Sequence, residues 1–214
     1  MINIRIFQCN MLQENCYVVS DESNDAVVID PGAVFENERK AISQYISENG
    51  LQLRHVLCTH GHFDHLFGAG ALYRDFGIKP ELNVADQFLY DAAEEQATEM
   101  LGANIRLDMP PTDASLTDGE RISFGTHQFT VLATPGHSPG GVCFYCAEEN
   151  VVFTGDTLFR MSVGRTDLHQ GSWPALMQSL KKTVATLPAA TIVYPGHGPK
   201  TSIQDELAMN PFMN

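Results

Sequence analysis

Thr59-His60-Gly61-His62-Phe63-Asp64-His65 is the stretch on which the reading of this chain turns. Three imidazoles and a carboxylate fall within six positions, directly after the apolar run Val56-Leu57-Cys58. Such a run reads as a buried strand, which places the histidines on a loop leaving its end. In extended chain, residues two apart point the same way, so His60 and His62 can grip one metal ion together. Asp64 and His65 are offset from that pair, where the chain bends into the helix-like Leu66 to Phe76, and can address a second ion. A polar loop can be rich in histidine by accident. At this chain's own frequencies, however, H-x-H-x-D-H arises on the order of once per thousand such chains.

Three more segments repeat one design: a strand, a Gly/Pro turn, then one ligand-type residue. They are His137 in Thr134-Pro135-Gly136-His137-Ser138, Asp156 in Thr154-Gly155-Asp156-Thr157, and His197 in Tyr194-Pro195-Gly196-His197-Gly198. Singly each is the kind of residue that usually serves a turn. Together with the first cluster they complete two ligand sets.

The set His60, His62, Asp64, His65, His137, Asp156 and His197 resembles, in order and spacing, that of the metallo-β-lactamase-fold hydrolases, from about residue 12 onward. The resemblance implies an α/β fold, an αββα sandwich with metals at one edge between two central sheets. It implies that His60, His62 and His137 bind one divalent ion, that Asp64, His65 and His197 bind a second, and that Asp156 bridges them. Zinc is the default for a hydrolytic site, and the nitrogen and oxygen donors also suit iron or manganese. An aspartate among the ligands of the second ion points away from the zinc β-lactamases that use a thiolate there.

Within that family, Gly155-Asp156-Thr157-Leu158-Phe159 followed by Ser162-Val163-Gly164-Arg165-Thr166-Asp167 is similar to the corresponding run in type II glyoxalases and persulfide dioxygenases. In the glyoxalases the residue matched by Arg165 helps hold glutathione; the plain alternative is a loop arginine paired with Asp167. Pro199 stands where those enzymes often carry tyrosine, and 17 residues follow His197, with Lys200 their one basic residue. The ending looks like the short, single-domain glyoxalase-like proteins, which lack the C-terminal helical domain. The implied activity is hydrolysis of S-D-lactoylglutathione or a related acyl thioester by a hydroxide bridging two ions, with Asp64 and Asp156 orienting it and relaying its proton. The alternative is a mononuclear iron dioxygenase acting on a persulfide. A nuclease and a non-catalytic metal binder are the more distant readings.

Composition narrows the partners. The 13 basic and 26 acidic side chains give a formal charge of −13, which argues against a broad nucleic-acid surface. The adjacent basic pairs Arg39-Lys40 and Lys181-Lys182 read as solvated helix faces. Two divalent ions would outweigh two carboxylates and a hydroxide, so the site itself admits an anion. A small-molecule thioester is the expected partner, with no nucleic acid and no membrane. No apolar run reaches the length of a membrane helix, and Met1-Ile2-Asn3-Ile4-Arg5 lacks a signal-peptide pattern, so the cytoplasm is the expected compartment. Five scattered cysteines suit reduced thiols. Cys143-Phe144-Tyr145-Cys146 spells C-x-x-C, but inside a strand an offset of three puts the thiols on opposite faces.

The remaining pattern reads as one domain over residues 1–214. Strands are expected at Ile2–Gln8, Asn15–Val19, Ala26–Asp30, Leu53–Cys58, Arg121–Phe124, Gln128–Ala133, Val142–Cys146, Val151–Thr154 and Thr191–Tyr194. Helices are expected at Phe35–Asn49, at Gln87–Leu101 with Asp86 as its cap, from Ser172 to Thr186, and at Ile203–Met209. Asn104–Asp118 reads as a loop bordering the site. Asp30 reads either as a turn acid or as a partner of a ligand histidine. His55, His127 and His169 read as structural or surface residues. Val27-Val28-Ile29-Asp30 and Val151-Val152-Phe153-Thr154-Gly155-Asp156 are alike enough to hint at a duplicated half.

Overall fold

Alternation of apolar side chains builds two sheets that share one core. The computed structural model describes residues 1–102 and 105–213; Asn104 lies outside them. The first sheet runs in the order β1 (Asn3–Cys9), β2 (Glu14–Ser20), β3 (Asp25–Ile29), β4 (Gln52–Leu57) and β5 (Pro80–Glu81). The second contains β6 (Arg121–Phe124), β7 (His127–Ala133), β8 (Val142–Cys146) and β9 (Val151–Gly155). The hairpin β10 (Leu158–Phe159) and β11 (Ser162–Val163) follows, and then β12 (Ile192–Pro195) and β13 (Thr201–Ser202) complete the second sheet, whose order is β13-β12-β9-β8-β7-β6.

Because successive strand residues face opposite ways, Val27 and Ile29 enter the inter-sheet core while Val28 points outward. That core joins Tyr17, Val19, Val27, Ile29 and Leu57 of the first sheet to Phe129, Val131, Phe144 and Phe153 of the second. Each outer face is covered by helices. Ile42 and Ile46 of α1 (Glu36–Glu48) and Leu72 of α2 (Ala69–Phe76) pack on Cys16, Val18, Val28 and Val56. Two further helices, α3 (Gln87–Asp91) and α4 (Ala93–Leu101), flank the histidine loop. On the other side, Leu176 and Leu180 of α5 (Trp173–Lys182) and Ile203 of α6 (Ile203–Met209) cover Cys143, Val152 and Val193. The result is the expected αββα sandwich. All five cysteines are free and buried, and Cys143 and Cys146 lie in different cores on opposite faces of β8. Among the described residues, no helix is long and apolar enough to cross a membrane.

The repeated runs correspond in topology. β1, β2 and β3 are antiparallel neighbours, α1 follows, and β4 returns parallel to β3. β7, β8 and β9 are antiparallel neighbours, α5 follows, and β12 returns parallel to β9. The carboxyl ends of both parallel pairs open at one edge, the place where α/β sheets present ligand-binding loops.

The structure departs from the periodic reading where tertiary bonds compete with helix propagation. Gln87–Leu101 is broken at Ala92, and Gln96 Nε2 donates to the Leu89 carbonyl at the end of α3 (2.6 Å). α5 ends at Lys182, after which Val184–Thr186 forms a separate 3-10 turn. In the loop expected to border the site, Ile105, Leu107 and Met109 instead turn onto the cluster of Phe63, Phe67, Tyr90 and Ala97.

Candidate metal centre

The histidine loop is fixed first by the end of β3. The Thr59 amide and hydroxyl donate to the two Asp30 carboxylate oxygens (2.7 and 2.8 Å), and Asp30 Oδ2 lies 3.1 Å from His65 Nδ1. Asp30 is therefore both the turn acid and the partner of a candidate ligand. Its own φ of 52° is a conformation that aspartate tolerates better than most residues. The chain stays extended through His62 and then tightens into a 3-10 turn at Phe63–His65, which separates the two pairs of donors.

His60, His62 and His137 converge, with ring centroids 4.5 to 4.9 Å apart and His62 Nδ1 2.8 Å from His137 Nε2. Their other nitrogens include two that are already engaged: His60 Nδ1 with the Thr59 hydroxyl (3.0 Å) and His137 Nδ1 with the Arg165 carbonyl (2.7 Å). In the second group, His197 Nε2 is 3.2 Å from Asp64 Oδ2, and His65 Nε2 is 3.7 Å from that same oxygen. Asp156 lies between the groups: Oδ1 is 3.4 Å from His65, and Oδ2 is 3.5 Å from His137 and 3.7 Å from His197. All seven residues singled out as metal donors are brought together.

The donor chemistry fits a metal. His60 Nε2, His65 Nε2 and Asp156 Oδ1 are buried with no hydrogen-bond partner among the described residues, which is costly for polar atoms unless something else occupies their lone pairs. Donor spacings of 3.2 to 3.7 Å around His197 and Asp156 match the separation of about 3.3 Å that bonds of ~2.0 Å to a tetrahedral ion impose. His60, His62 and His137 can hold one ion and Asp64, His65 and His197 another.

The two groups differ electrically. Burial, reinforced by neighbouring imidazoles, pushes His60 well below the usual histidine range and His62 to about 3, so both rings are neutral donors. For His65, burial is outweighed by Asp64, Asp156 and Asp30, which push its pKa well up. Burial opposes ionisation of Asp64 and Asp156, yet the charge of His65 holds both below the usual carboxylate range.

A cleft of about 380 Å³ opens over these residues. Its walls carry Leu12, Phe63, Leu89, Met100 and Leu168, with Gln96, Glu99, Arg165 and His169 as polar members. Arg165 reaches the cleft while its guanidinium is held bidentately by Asp167 (2.6 and 2.8 Å), a pairing that pulls the Asp167 carboxyl down to about 2. His169 is exposed, as expected, and also borders the cleft, edge-on to Phe88 at 5.6 Å between centroids. His55 and His127 are structural, paired with Glu81 and with Asp21 and Glu149.

Sequence reasoning missed three supporting residues. Asn15 Nδ2 donates to the carbonyls of Pro195 (3.0 Å) and Gly198 (2.8 Å), and the Tyr17 hydroxyl donates to Pro195 (2.5 Å). The first half thus clamps the loop that presents His197. The available signal was polar Glu14-Asn15 at the head of the fully buried strand β2. Asp86, expected as a helix cap, makes no capping bond. It is fully buried and accepts from the Gly61 amide (2.9 Å), the Ser138 hydroxyl (2.6 Å) and the Gly140 amide (2.5 Å). Burial raises its pKa despite those donors.

Comparisons with known proteins bear on the fold and the family. A family model described as the metallo-beta-lactamase superfamily matches residues 9–197. Hydroxyacylglutathione hydrolase GloC of Haemophilus influenzae is 36% identical over 220 residues, covering 100% of this chain and 99% of that protein. Among solved structures, BLEG-1 B3 metallo-beta-lactamase superposes with a TM-score of 0.90 at 35% identity, covering 99% of this chain and 100% of that one. The protein TTHA1623 in a di-iron-bound form gives 0.86 at 39%, covering 97% and 99%.

Proposed function

The chain belongs to the metallo-beta-lactamase superfamily, and from that membership we propose that it is a metal-dependent hydrolase of acyl thioesters, glyoxalase II-like in type. The observation that carries this reading is the pair of donor groups, complete in nitrogen and oxygen, at the floor of an apolar cleft. The similarity to GloC bears on the substrate, with S-D-lactoylglutathione as the first candidate.

In this reading His60, His62 and His137 would hold one ion and Asp64, His65 and His197 the other, with Asp156 placed between the two groups. Two divalent ions bound there, zinc by default, would supply a Lewis acid for the carbonyl oxygen and a water acidified toward neutrality. Asp64 and Asp156 orient the attacking water and take its proton. A carbon–oxygen bond forms, the carbon–sulfur bond breaks, and the proton ends on the departing thiolate. Leu12, Phe63, Leu89 and Met100 exclude bulk water around the acyl group, and Arg165 at the rim meets the thiol carrier. No serine or cysteine nucleophile is required.

Hydrolysis of S-D-lactoylglutathione by metal-loaded and chelator-stripped protein tests the reading. A turnover of about 1 s⁻¹ or more that disappears on stripping is expected. No turnover with two ions counted per chain would sink glutathione thioester hydrolysis. The second reading, a mononuclear iron dioxygenase of persulfides, draws on a donor set that suits iron; the two irons of TTHA1623 bear on the identity of the metal and not on the number bound. It would show as oxygen uptake with glutathione persulfide by protein holding one iron.

A further inference from the structure

Asp86 belongs to none of the donor groups, yet it touches the loops that carry every donor of the first one. Its three hydrogen bonds reach Gly61, between His60 and His62, and Ser138 and Gly140, beside His137. Among the described residues it makes no hydrogen bond with Asp64, His65 or His197, whose supports are Asp30, Asn15 and the Leu12 carbonyl. The cradle is close-fitting: a side chain at Gly61 would meet the Asp86 carbonyl and Leu89, and one at Gly140 would meet the Asp86 carboxyl group. Asp86 also leads directly into α3 and so into the cleft wall, where Gln96 Nε2 ties back to the Gly61 carbonyl (3.3 Å).

We propose that Asp86 is the positioning residue of the first metal seat, tying the His60–His62 and His137 loops into one unit and registering the α3–α4 wall of the cleft against it. The proposal rests on the assignment of His60, His62 and His137 to one ion. A carboxylate suits the task because it accepts several donors at once and offers none in return. Asparagine in its place would turn an N–H₂ group toward a backbone N–H or the Ser138 hydroxyl. The two loops would then separate without any donor imidazole being removed.

The test is a cobalt(II) titration of the apoprotein, followed by visible absorption, for wild type, Asp86→Asn, Ser138→Ala and His60→Ala. Wild type is expected to take two ions per chain. Asp86→Asn is expected to bind the ion of the first seat about 10- to 100-fold more weakly, with altered cobalt bands, while the second ion is held as in wild type. Ser138→Ala, which removes one of the three bonds, is expected to shift the same ion several-fold. Excess metal is expected to restore kcat of Asp86→Asn but to leave KM raised, because the wall stays out of register. Equal weakening of both ions, or wild-type affinity in Asp86→Asn, would overturn the proposal. Should Asp86→Asn not fold, Ser138→Ala decides alone, and an unchanged first seat overturns it. A His60→Ala protein that still binds two ions would overturn the metal assignment itself, and Asp86's role with it.

Discussion

Two clusters of histidine and carboxylate sit at opposite ends of the same strands, and only one has the character of a metal site. At the far end, His127 opens β7 and Asp21 follows β2; together with Glu22 they lie close enough to hold an ion. There the buried side-chain atoms of Asp21 and His127 all have partners among the described residues. Asp21 accepts from the Ser23 and Thr126 amides and hydroxyls and from His127, and His127 Nε2 meets Glu149 at 3.0 Å. At the near end, buried nitrogens and oxygens of His60, His65 and Asp156 point at one another without partners. Residue type is the same in the two places. What differs is whether the protein has satisfied its own polar atoms, and a buried atom left unsatisfied is the stronger sign of a ligand.

That contrast can be broken most directly at the near end. His62→Ala is expected to lose one of two bound ions and on the order of 10³-fold in thioester turnover, checked by metal analysis and steady-state kinetics. An intact rate would remove the basis for the proposed centre. Asp30→Ala sharpens the comparison by disturbing a support instead of a donor. It leaves the Thr59 amide unpaired and the Thr59 hydroxyl with His60 Nδ1 alone, so a stability loss of about 1–3 kcal/mol in denaturant unfolding is expected. Metal affinity should fall about 10- to 100-fold in the same protein.

The far cluster should respond to pH instead. Burial lowers the His127 pKa, but the hydrogen bonds to Asp21 and Glu149 outweigh it and the folded value is raised. A raised folded value means the pairing stabilises the fold fully below the unfolded value of about 6.5 and is lost as pH rises through the folded one. His127→Gln should therefore cost about 1 kcal/mol near pH 6, with the difference from wild type shrinking toward pH 9 in denaturant unfolding. Its metal content should stay at two ions, and a lost ion would show the far cluster to be a seat after all. The smallest effect is expected at Arg165→Ala. That change breaks an exposed pair with Asp167 and should alter stability by less than about 1 kcal/mol, so any rise in KM for an anionic thioester reports on recognition.

The sequence made the sandwich and its donors legible for a physical reason. Strand alternation and the H-x-H-x-D-H spacing are local, and so are the Gly/Pro turns before His137 and His197. Asp86 was illegible because its partners lie 25, 52 and 54 positions away, and its local setting before Gln87 imitates a helix cap. His169 was legible as a surface residue but not as one bordering the cleft, since nothing near it in the chain says that its loop packs beside Phe88. The two-residue strands β5, β10, β11 and β13 are too short to show a period and exist through pairing with neighbours. Arg165 was legible as a rim residue and as half of an ion pair. Its backbone carbonyl, which sets the orientation of His137, carries no side-chain signature at all.

The clamp of Asn15 and Tyr17 on the His197 loop has a consequence for how the protein is made. On the ribosome the first donor group is complete in sequence once His137 has been added, whereas His197 arrives about 60 positions later. At ~5–20 residues per second that interval lasts several seconds. Its seat is built from residues that precede it by about 180 positions. The clamp is thus made well before the loop it holds, and the second donor group can be completed only after His197 has been added.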